Sequence, residues 1–78
     1  MKDVTISLRT IDRAKTFVNQ ISQTAVDVDL LAGNRYVIDA KSIMGIFSLD
    51  ISKPVTLRIH AEGEAYDEVI ELVKEFIV

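Results

Sequence analysis

The residues able to do chemistry are few: one histidine, no cysteine, and a serine at the head of KSIMGIFSLDISKP, residues 41–54. Without cysteine there is no thiol nucleophile, no disulfide and no thiolate metal site. His60 follows Thr56 and Arg58 at a spacing of two, which places it on the polar face near the end of a strand and away from any helix start. That is an ordinary position for an exposed histidine without a chemical role. Ser42 stands where a helix cap belongs, its hydroxyl able to accept from the amides of the short apolar helix behind it, worth on the order of 1 kcal/mol. The same position tolerates a phosphate, because negative charge at a helix N-terminus is favoured by the helix dipole.

The carboxylates do not form a catalytic pair. Asp27 and Asp29 lie two apart on one strand face, and Glu68, Glu71 and Glu75 mark the solvated side of a helix. No glycine-rich phosphate loop, nucleophile elbow or metal-ligand cluster occurs in the sequence. Gly33 suits a turn, and Gly63 a break before the last helix. Neither enzymatic turnover nor a cofactor is therefore expected.

The elements that must position these residues follow from the apolar periodicity. Val4, Ile6 and Leu8 alternate with polar neighbours and predict a strand over 2–8. Ala14, Phe17, Val18 and Ile21 fall on one stripe of a helix over 12–24, with Thr10 or Asp12 as its cap. Val26, Val28 and Leu30, then Tyr36, Ile38 and Ala40, predict two strands joined as a hairpin through Gly33-Asn34. Within 41–54, Ile43, Ile46 and Phe47 have the spacing of a core stripe, leaving Met44 and Leu49 partly exposed. One stripe cannot bury so many apolar residues, so the segment suits docking to a partner. Pro54 closes the connection, Val55, Leu57 and Ile59 alternate as a fourth strand, and Tyr66, Val69, Ile70, Val73, Phe76 and Ile77 recur at helical spacing over 64–78. Each strand has one strongly apolar face, so the expected fold is α+β: a four-stranded antiparallel sheet covered on one side by three helices, in the order βαββαβα.

Composition sets the outer limits. Seventy-eight residues predict one domain over 1–78, with stability of about 4–12 kcal/mol. With 49% hydrophobic residues and no disulfide, that stability must come from packing, as in a reducing cytoplasmic setting. The first residues lack the apolar stretch of a signal peptide, and no run approaches the roughly 18 apolar residues of a membrane span. Net charge is −3 and the nine basic residues are scattered, which excludes a nucleic-acid stripe. Neither membrane nor nucleic acid is an expected partner.

The element order, together with Lys41-Ser42-Ile43-Met44-Gly45, Ser48-Leu49, Ala61-Glu62-Gly63-Glu64 and Phe17-Val18, resembles the histidine-containing phosphocarrier (HPr) family of the bacterial sugar phosphotransferase system. The resemblance spans essentially the whole chain and implies an open-faced sandwich. It further implies that Ser42 corresponds to the serine phosphorylated by a dedicated kinase in many members, and that Ile43, Met44 and Phe47 belong to the surface that docks partner proteins. The family's phosphohistidine sits in His-x-Arg-Pro-Ala at the start of the first helix. Here that region reads Leu8-Arg9-Thr10-Ile11-Asp12-Arg13-Ala14, without a histidine and on a loop about three residues shorter than the family pattern. Thr10 and Ile11 offer no imidazole, Asp12 puts a carboxylate where a phosphate would sit, and Arg13 resembles the family's arginine in type. The resemblance thus implies a divergent, regulatory or protein-binding member, with a serine kinase, a transcriptional repressor or sugar-transport components as partner classes. A phosphocarrier with another acceptor, and an interaction module without phosphorylation, are the alternatives.

Overall fold

The computed structural model describes residues 2–33 and 36–78. Their elements are β1 (Lys2–Ile6), α1 (Ile11–Ile21), β2 (Val28–Ala32), β3 (Tyr36–Asp39), α2 (Ile43–Phe47), β4 (Val55–Ile59) and α3 (Gly63–Val73), followed by a 3₁₀ turn, Lys74–Phe76. The sheet order is β1-β4-β2-β3, and every neighbouring pair is antiparallel. Because β1 and β2 are each antiparallel to β4, they run parallel to one another. Such a pair needs a crossover, which α1 supplies. β2 and β3 are a direct hairpin, with Gly33 in the left-handed region at φ +65°; Asn34, expected beside it in the turn, lies outside the described residues.

One sheet face is apolar in rows that cross the strands: Val4, Leu57, Leu30 and Ile38 stand in register. Leu57 and Leu30 are fully buried there, each contributing about 1.5–3 kcal/mol through burial. Ala14, Phe17 and Ile21 of α1, Ile46 of α2, and Val69 and Val73 of α3 close over this face. Phe17 and Phe76 meet edge to face with centroids 5.5 Å apart. On the opposite, open face the registered rows are Asp3, Arg58, Asp29 and Asp39, then Thr5, Thr56, Leu31 and Val37. This is the expected α+β open-faced sandwich.

Several expected boundaries move. β1 stops at Ile6 rather than Leu8, because the Ser7 amide donates to the Phe76 carbonyl at 2.8 Å and Arg9 turns into the left-handed region at φ 71°. Leu8 stays fully buried without belonging to a strand. β2 begins at Val28, not Val26, whose amide is held by the Thr24 hydroxyl at 3.2 Å. α1 runs from Ile11 to Ile21 and then unwinds through turns in which the Gln23 and Thr24 amides donate to Gln20 and Ile21. α3 does not continue to Val78: it ends at Val73, tightens into the 3₁₀ turn, and leaves Ile77 bridged to Ile6. The last residues gain sheet pairing there, with the Val78 amide donating to the Thr5 carbonyl at 3.1 Å, instead of a further helical turn. Among the described residues, no helix is long and apolar enough to cross a membrane.

Candidate functional site

The start of α1 is built from the four residues between it and β1, Ser7 to Thr10, and from its own first turn. Thr10, not Asp12, is the N-cap, in extended conformation, with its hydroxyl accepting from the Arg13 amide at 3.2 Å. Asp12 sits exposed in the first helical turn, a placement the helix dipole favours. Arg9 holds a left-handed conformation, which costs a non-glycine residue about 1–2 kcal/mol. It is held there by its amide, which donates to the Ile51 carbonyl at 2.8 Å, and by its Nε on Ser7 Oγ at 3.1 Å.

Arg13 is fastened on three sides. Its Nε donates to the Leu8 carbonyl at 2.8 Å, its Nη2 to the Ser7 carbonyl at 3.0 Å, and its guanidinium lies 4.9 Å from the Phe76 ring centroid. It therefore satisfies carbonyls that the chain, having left β1, no longer pairs in the sheet. Sequence reasoning placed Arg13 in the degenerate site by residue type and could not see that two of its guanidinium donors go to backbone carbonyls. A recess of about 300 Å³ beside it is lined by Ser7, Arg9, Arg13, Glu75, Phe76 and Val78. Ile11, in the same segment, is 57% exposed.

Ser42 is the N-cap of α2, its Oγ accepting from the Gly45 amide at 3.2 Å. The approach to it is fixed by Asp39, whose carbonyl accepts from the Ser42 amide at 3.0 Å and whose Oδ1 accepts from the Lys41 amide at 2.9 Å. Lys41 Nζ ties the turn to the Thr24 carbonyl at 2.6 Å. A Cβ on Gly45 would lie 3.3 Å from Ser42 Oγ and 3.4 Å from Ile38 Cδ1, a tight fit against the cap and close to an ordinary contact with β3.

Behind the cap only Ile46 is fully buried; Ile43 is half-buried and Met44 is 76% exposed. Phe47, expected in the core stripe, is 42% exposed. With five residues and one buried position, α2 is too short to turn a whole stripe inward. Leu49 is partly buried against the core, as expected.

His60 is on the open face at the end of β4, but it has a partner. Its Nε2 lies 2.6 Å from Asp29 Oδ2, and its amide donates to the Asp27 carbonyl. The Asp27 and Asp29 pattern, read from sequence only as two carboxylates on one strand face, thus includes a cross-strand contact through Asp29. Nearby, Arg58 makes two hydrogen bonds to Asp3, at 2.9 and 3.1 Å. The guanidinium holds the Asp3 carboxyl below the usual carboxylate range, and Asp3 in turn raises Arg58. Two hydrogen bonds from Ser52 lower Asp50 likewise. No group of three or more His, Cys, Asp or Glu side chains among the described residues has a metal-binding arrangement.

The family model described as "PTS HPr component phosphorylation site" matches residues 10–78, from the cap of α1 through α3 and the 3₁₀ turn. The chain belongs to the HPr family. Among solved structures, HPr-C-His from Thermoanaerobacter tengcongensis is 30% identical, with a TM-score of 0.73 over 96% of this chain and 93% of that one. The phosphocarrier protein HPr from Bacillus anthracis str. Ames is 26% identical, with a TM-score of 0.74 over the same shares. The histidine-containing phosphocarrier protein of a Mycoplasma, 18% identical with a TM-score of 0.70 over 95% of this chain and 86% of that one, shares the fold. No curated protein matches. HPr proteins interact with other phosphotransferase-system proteins, and this chain has their fold of a four-stranded antiparallel sheet with three helices, with a threonine at the head of α1.

Proposed function

We propose that this chain is a non-catalytic HPr-family protein that binds other proteins without carrying phosphate on histidine, and that phosphorylation of Ser42 switches it. The observation that carries the reading is the start of α1: Thr10 occupies the cap, and Arg13 spends two guanidinium donors on the Ser7 and Leu8 carbonyls. A phosphohistidine needs a neutral imidazole nitrogen as nucleophile, with helix amides and a cation for the phosphoryl group. The only histidine in the chain is instead beside Asp29 on the open sheet face.

Ser42 supports the regulatory half of the reading. Phosphorylation there places about two negative charges at a helix N-terminus, where amides and dipole favour them. Ser48, at the C-cap of α2, offers the opposite polarity. Ile43, Met44 and Phe47 supply the docking surface, an adaptable thioether beside an exposed ring. In this reading 1–78 is one domain working in the cytoplasm, its partners a serine kinase and either a transcriptional repressor or sugar-transport components.

Incubation with radiolabelled phosphoenolpyruvate and the general sugar-phosphotransferase enzyme tests the first half: the chain stays unlabelled, and acid-labile label would establish a phosphocarrier with another acceptor. Incubation with the serine kinase and ATP, followed by mass spectrometry, tests the second. A single phosphate on Ser42 is expected, and an unmodified chain both there and from native cells would leave an interaction module without phosphorylation.

A further inference from the structure

The turn that presents Ser42 is connected to His60 through two aspartates. In the registered row of the open face, Asp29 of β2 stands directly opposite Asp39 of β3. Asp29 Oδ2 is 2.6 Å from His60 Nε2, and Asp39 Oδ1 and its carbonyl accept from the Lys41 and Ser42 amides. Asp27, Asp29, Asp39, Lys41 and His60 all line one recess of about 350 Å³.

We infer that protonation of His60 steadies the Asp39–Lys41–Ser42 turn, so that the firmness with which the head of α2 is held depends on pH. The imidazolium offsets the Asp29 carboxylate. Once His60 is neutral, Asp29 and Asp39 are like charges directly opposite each other on antiparallel strands, an unfavourable pairing. The cations around His60 relieve them only in part: Arg58 acts on Asp29 through space while its hydrogen bonds go elsewhere. Arg58, in register with Asp29, makes its two hydrogen bonds to Asp3 on β1, and Lys41 sends its ammonium to the Thr24 carbonyl. Asp27 adds a third carboxylate to the recess. Repulsion at Asp39 acts on the residue whose oxygens hold both amides of the turn. The device concerns the turn itself and stands whether or not Ser42 is modified.

The test is amide exchange and chemical shift by NMR on the full chain, in wild type, His60→Asn and Asp29→Asn. Across a pH series, the Lys41 and Ser42 amides of wild type should follow the His60 ring signal. Their protection, corrected for intrinsic exchange, should fall by about 1.5- to 5-fold as the ring loses its proton, from the cross-strand scale of about 0.2–1 kcal/mol. In His60→Asn the inflection disappears. In Asp29→Asn it also disappears while the ring still titrates, which separates coupling through Asp29 from a direct effect of the ring. Flat Lys41 and Ser42 amides in wild type, or an inflection that survives either substitution, would overturn the inference.

Discussion

Replacing Arg13 by alanine is the sharpest test of how the head of α1 is built. The substitution removes two hydrogen bonds from a charged donor to backbone carbonyls, at 2.8 and 3.0 Å, and a guanidinium 4.9 Å from the centre of the Phe76 ring. Arg13 is half-buried, so each bond is taken at about 1 kcal/mol, below the range for fully charged partners, and the ring contact at about 0.5 kcal/mol. The sum is about 2.5 kcal/mol, a substantial share of the roughly 4–12 kcal/mol available to a chain of this size. Thermal unfolding followed by far-ultraviolet circular dichroism should show a fall in Tm of about 10–20 °C. Arg13→Lys should recover less than half of it, since one ammonium on a flexible stem cannot reproduce the two-pronged contact. If Arg13 were a free anion ligand, its loss would move stability by under about 0.5 kcal/mol, and that result would refute the reasoning.

Three further outcomes follow from the geometry. Ser42→Ala should cost about 1 kcal/mol and Ser42→Asp much less, because aspartate also caps; urea unfolding monitored at 222 nm measures both. Met44→Glu should leave stability within about 0.5 kcal/mol by the same assay, as expected for a side chain 76% exposed, while abolishing capture of a phosphotransferase-system protein if the docking surface is as proposed. Asp3 is held below its usual range by Arg58, so its contribution is fully present above the unfolded carboxylate value near pH 4 and is lost as pH falls through the lower folded value. Asp3→Asn should remove that part of the acid slope, and an unchanged slope in an acid titration would count against the pair.

Much of the fold was legible because it rests on periodicity. Val4 and Leu57 alternate with polar neighbours in their strands, Leu30 and Ile38 each follow the same period of two despite one apolar neighbour, and in the sheet all four stand in one row. What the sequence could not carry was the end of each element. Leu8 and Ile77 continue the periodic patterns of β1 and α3, yet neither belongs to its element. The long-range bonds from Ser7 to Phe76 and from Val78 to Thr5 outcompete propensity at both places. Phe47 failed for a related reason: a stripe presumes a helix long enough to have a face, and α2 has five residues.

Residue type and local spacing were enough to establish that Ser42 caps a helix, that the head of α1 has no imidazole, and that four half-buried strands need helices on one side. Each depends on side chains within a few positions of one another, and the chain fixes that relation directly. The partnerships of Arg13 and His60 were decided by the tertiary structure. Arg13 meets Phe76 only because the 3₁₀ turn folds back beside β1, and His60 meets Asp29 only because β4 inserts between β1 and β2. The separations involved, 63 residues in one case and 31 in the other, exceed what any local pattern encodes.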